Sequence, residues 1–231
     1  MNIRIAKFIS NAGYCSRREA EKLIFQKKVF INEKLCMHPS HKVGEKDIIK
    51  INNQILKKSE KTELWKMYKP IKYICSRKDN LKRNKIFDLL PKGRTKLICV
   101  GRLDYMSEGL ILFTNSGDYS RFLELPSSNI ERTYKVCIHG TVRDSDLNKI
   151  NKGIKIKEIK YNKAKVAIEK KSKDSVWLIF KLKEGKNREI RNICNFFSWK
   201  IIRLLRVGFG PYKLGKLKIG EVEKIKNIKN D

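Results

Sequence analysis

The stretch GRLDYMSEGLILFT, residues 101–114, sets one carboxylate between two apolar runs. Leu97, Ile98, Cys99 and Val100 precede it, and Leu110-Ile111-Leu112-Phe113 follow the Ser107-Glu108-Gly109 segment, which reads as a turn. Asp104 is therefore placed where burial is costly unless a cation compensates it or chemistry uses it. Arg102 lies two residues earlier, a spacing that returns a side chain to the same face if the backbone is a strand.

The rest of the chain bounds what such an acid can do. With 231 residues and 41% hydrophobic composition, there is material for one large or two modest domains with a real core. Lys and Arg number 54 against 24 Asp and Glu, a net charge of +30. Residues 1–60 carry 13 basic and 6 acidic side chains and the remainder 41 and 18, so both parts are basic and the excess is no detachable tail. A polyanionic partner, nucleic acid first, is implied. The six cysteines have no CxxC spacing, which fits a reducing compartment, the cytoplasm, and Cys99 and Cys137 read as small core residues. Cys36, His38 and His41 are close in sequence but form no recognised ligand set, and no metal is expected. Met1 to Phe8 alternates charged and apolar residues, unlike a secretory leader, and no apolar run approaches the roughly 20 residues of a membrane span.

Periodicity predicts a short helix from Ile3 to Ile9, stopped by Gly13. Ser16 with Glu19 predicts a capping box that opens a second helix through Phe25. Val29–Ile31 and Lys34-Leu35 predict a hairpin about Asn32-Glu33, and Asp47–Ile51 a further strand. Lys57 to Thr62 is polar and aperiodic and reads as a linker, giving domains at 1–60 and 61–231. Beyond it, strands are expected from Leu64 to Ile74 (interrupted at Lys69-Pro70), at Thr133–His139, Val176–Leu182 and Ile201–Val207. A helical turn is expected at Lys85–Leu90, and helices at Asp118–Leu125, Asp144–Ile150 and Asn187–Phe197. Gly208, Gly210 and Pro211 read as a turn, and the last dozen residues as a frayed Lys-rich end. Strands outnumber helices and alternate with them irregularly, so the class is α+β with a mixed, mostly antiparallel sheet.

Four ordered motifs then carry a family likeness. GRLD with SEGL (101–104, 107–110), WKMYKP (65–70), ERTYKV (131–136), and EGKNREIR (184–191) followed by RLLRVGFGP (203–211) resemble the ribosomal small-subunit-type, or RsuA/RluB-type, pseudouridine synthases. Residues 1–60, with GYCSRREAEKLI and KVFINEK, resemble the S4 RNA-binding module that precedes many such domains. The third motif and the module look closer to the large-subunit branch. Where the family often has glycine two residues after the first-motif proline, this chain has Lys72.

The resemblance implies isomerisation of a uridine to pseudouridine in large-subunit (23S) ribosomal RNA or a pre-ribosomal particle, by a monomer without cofactor. It makes Asp104 the group acting on the ribose, a role a carboxylate can fill as nucleophile or base if ionised and positioned. Arg191 becomes its partner cation, Arg102 a group that displaces the nucleotide and contacts phosphate, and Tyr134 a stacking platform. Lys69 is read as an RNA contact or a support for the Asp104 loop, and Leu205 as an apolar wall of the pocket. In the module, Arg17 and Arg18 at a helix start suit phosphate, with Lys7 extending the patch. A small-subunit (16S) synthase and a non-catalytic RNA-binding assembly factor are the rival readings. A nuclease usually needs several carboxylates around a metal, and the motifs supply one.

Overall fold

The computed structural model describes residues 2–44, 46–56, 61–94 and 96–228. The chain divides into two compact units, one of residues 1–63 with 93–98 and 114–119, the other of residues 64–92, 99–113 and 120–231. Residues 57–60 of the expected linker lie outside the described residues.

In the first unit, α1 (Ile5–Asn11) and α2 (Arg17–Phe25) pack beside a four-stranded sheet of Lys34–Leu35, Val29–Ile31, Ile49–Ile51 and Gln54–Ile55. Ser16 Oγ accepts from the Glu19 N–H and the Glu19 carboxylate accepts from the Ser16 N–H, so the expected capping box forms. Ile5, Ile9, Ala20, Ile24, Val29, Val43, Ile49 and Ile51 make its core. These are the period-3.6 and period-2 positions of the sequence, so pattern alone places them inside.

The second unit is built on a nine-stranded sheet. Its strands are β1 (Leu64–Lys69), β2 (Ile98–Val100), β3 (Glu108–Thr114), β4 (Arg132–His139), β5 (Lys165–Lys171), β6 (Val176–Leu182), β7 (Lys200–Phe209), β8 (Tyr212–Lys213) and β9 (Val222–Lys224). Their order is β5-β6-β4-β7-β3-β1-β9, with β2 on β3 and β8 on β7. β3 runs parallel to β7, whereas β7 runs antiparallel to β4, β4 to β6 and β6 to β5. This is the α+β, mostly antiparallel arrangement that the strand content implies. Every residue of β3 is buried, consistent with a central strand covered on both faces. Helix α3 (Gly117–Glu124) follows β3 in the chain, and helices α4 (Asp144–Lys152) and α5 (Glu189–Phe196) supply Leu147, Ile150, Ile190, Ile193 and Cys194 to a core shared with Val136, Leu178, Phe180 and Leu204 of the sheet.

Several expectations need correction. Residues 101–107 form irregular backbone and turn rather than strand, with Gly101 at φ 66°, so the same-face argument for Arg102 and Asp104 does not apply. The turn precedes Ser107, and Glu108 and Gly109 already belong to β3. Gly208 lies inside β7, paired with Thr133, and only Gly210-Pro211 turn. The Lys-rich end contains a strand: Val222, Glu223 and Lys224 pair with Met67, Lys66 and Trp65 of β1 and cover that edge of the sheet, while residues 229–231 lie outside the described residues. The strands at Ile154–Ile156, Ile159–Tyr161 and Lys165–Lys171 had no expectation, although the first two alternate apolar residues with lysine. Among the described residues, no helix is long and apolar enough to cross a membrane.

Candidate active site

The Asp104 loop is fastened from several sides. Ser107 N–H closes its turn on Asp104 O at 3.0 Å, and Lys72 N–H donates to Tyr105 O at 2.7 Å. Lys72 stands at φ 62°, a left-handed conformation that glycine takes more cheaply, so the turn survives the exchange of residue at a local cost. Cys75 Sγ accepts from Leu103 N–H at 3.4 Å, and Cys99 Sγ donates to Gly101 O at 2.8 Å. The hydrogen bond from Cys99 pulls the Cys75 thiol down to about 6.

Lys69 completes this support. It is fully buried at the end of β1, and its ammonium donates to Pro70 O at 2.9 Å and Ser107 O at 2.7 Å. Burial lowers its pKa to about 8, with Cys75, Asp104 and Glu108 acting in the opposite sense. The reading of Lys69 as an RNA contact is therefore corrected: its ammonium is committed to two carbonyls inside the loop, and it holds the loop.

Asp104 itself is about one-third exposed, its side chain at 34%, and lines an open cleft of about 1010 Å³. Arg191, in the first turn of α5, places Nε 3.2 Å from Asp104 Oδ2 while its Nη2 donates to Met106 O and Ser107 Oγ, both at 2.9 Å. Arg188 Nη1 lies 3.8 Å from the same Oδ2. Both cations address one oxygen, and among the described residues no hydrogen bond reaches Oδ1. A carboxylate so held keeps one oxygen available for chemistry.

Around it, the cleft is lined by Arg102, Tyr134, Glu184, Glu189, Leu204 and Arg206, among others. Arg102 is exposed. Tyr134 is half-buried on β4 and registers opposite Arg206 of β7. Leu205 is corrected: Leu204 and Arg206 face the cleft, and the period of two turns Leu205 away, against Gly109 of β3. On β3, Glu108 accepts from Tyr68 Oη at 2.8 Å and Arg203 Nε at 2.5 Å, tying β1, β3 and β7 together. Burial pushes this carboxyl up, but the hydrogen bonds from Arg203 and Tyr68 outweigh it and leave it below the ordinary value. Glu189 is buried, its Oε2 accepting from Lys186 N–H at 3.2 Å, and burial followed by the Glu184 charge raises it to about 8.

In the first unit, Arg17 and Arg18 are exposed at the start of α2. Arg17 and Lys7 line a shared groove with Arg4 and His38, but Lys7 is ion-paired with Asp118 at 2.7 Å and so offers phosphate less than its charge implies. Cys36 Sγ donates to His38 O, and among the described residues no three acidic, histidine or cysteine side chains form a metal-sized group.

Sequence reasoning passed over Ser107, Glu108, Arg188, Glu189 and Arg206. Arg188 and Glu189 stand inside the EGKNREIR motif beside Arg191, and Arg206 inside RLLRVGFGP, so motif membership was the available signal. Ser107 and Glu108 stand inside SEGL and had the same signal, but it could not name partners 84 and 95 residues away.

Comparison with known proteins identifies the family. Residues 63–196 match the RNA pseudouridylate synthase family and residues 3–49 the S4 domain. The chain is 42% identical over 224 residues to an uncharacterized RNA pseudouridine synthase of Rickettsia typhi, covering 97% of this chain and 92% of the relative. It is 34% identical to the ribosomal large subunit pseudouridine synthase B of Buchnera aphidicola (100% and 97% covered) and 30% to that of Bacillus subtilis (96% and 91%). A crystal structure of a pseudouridylate synthase superposes with a TM-score of 0.69 at 24% identity, covering 97% of this chain and 96% of that one, and so shares the fold. The chain belongs to the RNA pseudouridylate synthase family, with an S4 domain at its N-terminal end.

Proposed function

We propose that this protein converts a uridine of large-subunit (23S) ribosomal RNA, free or in a pre-ribosomal particle, to pseudouridine. The observation that carries the reading is Asp104 in an open cleft, one oxygen held by Arg191 and the other without a protein partner among the described residues. The reaction breaks the ribose–base bond, turns the base and rejoins it through carbon, which needs an ionised carboxylate beside the sugar and a pocket for the base. Asp104 attacks or deprotonates the ribose. Arg191 fixes it, Arg102 contacts phosphate and helps hold the nucleotide out of its stack, and Tyr134 stacks on the base. Extrusion costs a few kcal/mol, which the basic surface supplies through backbone contacts.

Residues 1–60 serve as the RNA-binding module, through Arg17 and Arg18 with Lys7 in a lesser part, and residues 61–231 as the catalytic domain. The family matches at 3–49 and 63–196 fall within these limits. The large-subunit substrate is supported by the relatives named for it in Buchnera aphidicola and Bacillus subtilis. The protein acts in the cytoplasm as a monomer. An assembly factor without activity has no use for an intact Asp104–Arg191 pair. Pseudouridine mapping of ribosomal RNA from cells with and without the gene tests the reading: one large-subunit site should disappear, and unchanged maps would refute it.

A further inference from the structure

Two arginines lie buried in the cleft, and they differ in one respect. Arg132 is 6% exposed and spends its guanidinium on four carbonyls, those of Ile130, Lys183, Leu123 and Glu124. Arg206 is 3% exposed, and its Nε donates to Leu110 O at 2.7 Å. Its Nη2 is buried and has no hydrogen-bond partner among the described residues, and no carboxylate pairs with it there. A buried cation with an unspent donor is costly; the Phe209 ring, 5.1 Å from its Cζ, offsets part of that cost, and a ligand that supplies the acceptor offsets more.

The position of that donor identifies the acceptor. Arg206 registers directly across from Tyr134 on the adjoining strand, and both line the cleft that holds Asp104. Directly opposed residues present side chains on one face of a sheet about 5 Å apart. A base stacked on Tyr134 would therefore lie beside Arg206.

Resting on the proposed activity, we infer that Arg206 Nη2 hydrogen-bonds a carbonyl oxygen of the flipped uracil and stabilises the base as it leaves and turns. When the C1′–N1 bond breaks, N1 keeps the electron pair and the freed uracil carries one negative charge, shared with O2 and O4. Rotation about the N3–C6 axis exchanges N1 with C5 and O2 with O4, so one fixed donor meets a carbonyl oxygen before and after. C5 then bonds to C1′ as the Asp104–C1′ bond breaks or, if Asp104 acted as base, as it returns its proton to C2′; the C5 proton departs to solvent and N1 takes a proton, closing the isomerisation. A preorganised donor at developing charge acts most strongly where water is excluded. Cytosine carries an amino group in place of O4, so the same donor disfavours it.

The test is single-turnover tritium release from a large-subunit ribosomal RNA transcript labelled with [5-³H]uridine, with RNA affinity measured by filter binding on the same transcript. Arg206→Met should slow release roughly 100-fold and leave affinity within about threefold, the loss typical of one preorganised donor. Arg206→Lys, which keeps the cation but not the second nitrogen, should fall between the two. A folded Arg206→Met enzyme within threefold of the parent rate overturns the inference. Should Arg206→Met not fold, Arg206→Lys decides, and its full activity overturns the inference equally. A parent enzyme inert on this RNA refutes the proposed function instead, and takes this inference with it.

Discussion

Arg191 Nε sits 3.2 Å from Asp104 Oδ2, although 87 residues separate the two in the chain. The same guanidinium binds Met106 O and Ser107 Oγ, so one helix residue fixes both the acid and the turn that carries it. Arg191→Met should therefore lower pseudouridine formation on the order of 100-fold, the scale of a misplaced reacting group, with Arg191→Lys intermediate. Single-turnover tritium release measures it. A Lys variant at full rate would show that charge alone is needed and the fork geometry is not.

Asp104→Asn removes the carboxylate proposed as nucleophile or base while keeping shape. It should abolish turnover and leave RNA affinity within a few fold, because affinity resides in phosphate contacts. Residual turnover above a trace would dismiss the assigned role.

Affinity should fall steeply with salt, as expected of a chain with net charge +30. Arg17→Ala and Arg18→Ala should each reduce the slope of log K against log salt by about 1. Lys7→Ala should change it less, since Asp118 already holds that ammonium. Equal slopes for all three would contradict the assignment of phosphate contacts to α2.

Gly109 stands at φ 100°, and a Cβ there would lie 2.3 Å from Arg206 O and 2.9 Å from Arg206 N. Only glycine lets β3 approach β7 at this register. Gly109→Ala should cost on the order of 3 kcal/mol, combining backbone strain and overpacking. Denaturant titration gives the value, and a neutral result would mean the strands separate freely.

Glu189 is held at about 8 by burial and then by Glu184. A carboxyl raised in the native state binds its proton there more tightly than in the unfolded chain. It therefore contributes stability below the ordinary carboxylate range, and that contribution is lost as pH climbs to about 8. Glu189→Gln mimics the protonated form, so the loss of Tm between about pH 5 and about pH 7.5 should be smaller than in the parent. In that window Lys69, at about 8, is still protonated in both states and adds little. An identical pH dependence would place the shared proton elsewhere.

The sequence by itself determined the class of fold, the module at the N-terminal end and the identity of the acid. Capping at Ser16, the strand at Thr133–His139, and the helical spacing of Ile190, Ile193 and Cys194 are local signals, and the structure contains each. Tertiary structure alone decided the surroundings of the acid. Lys69 became a buried clamp, Leu204 took the wall expected of Leu205, and Arg206 kept an unspent donor opposite Tyr134. Those outcomes depend on which distant strand lies alongside, and on a bulge or a glycine that shifts the pleat. Neither spacing nor composition encodes that partner in any one segment.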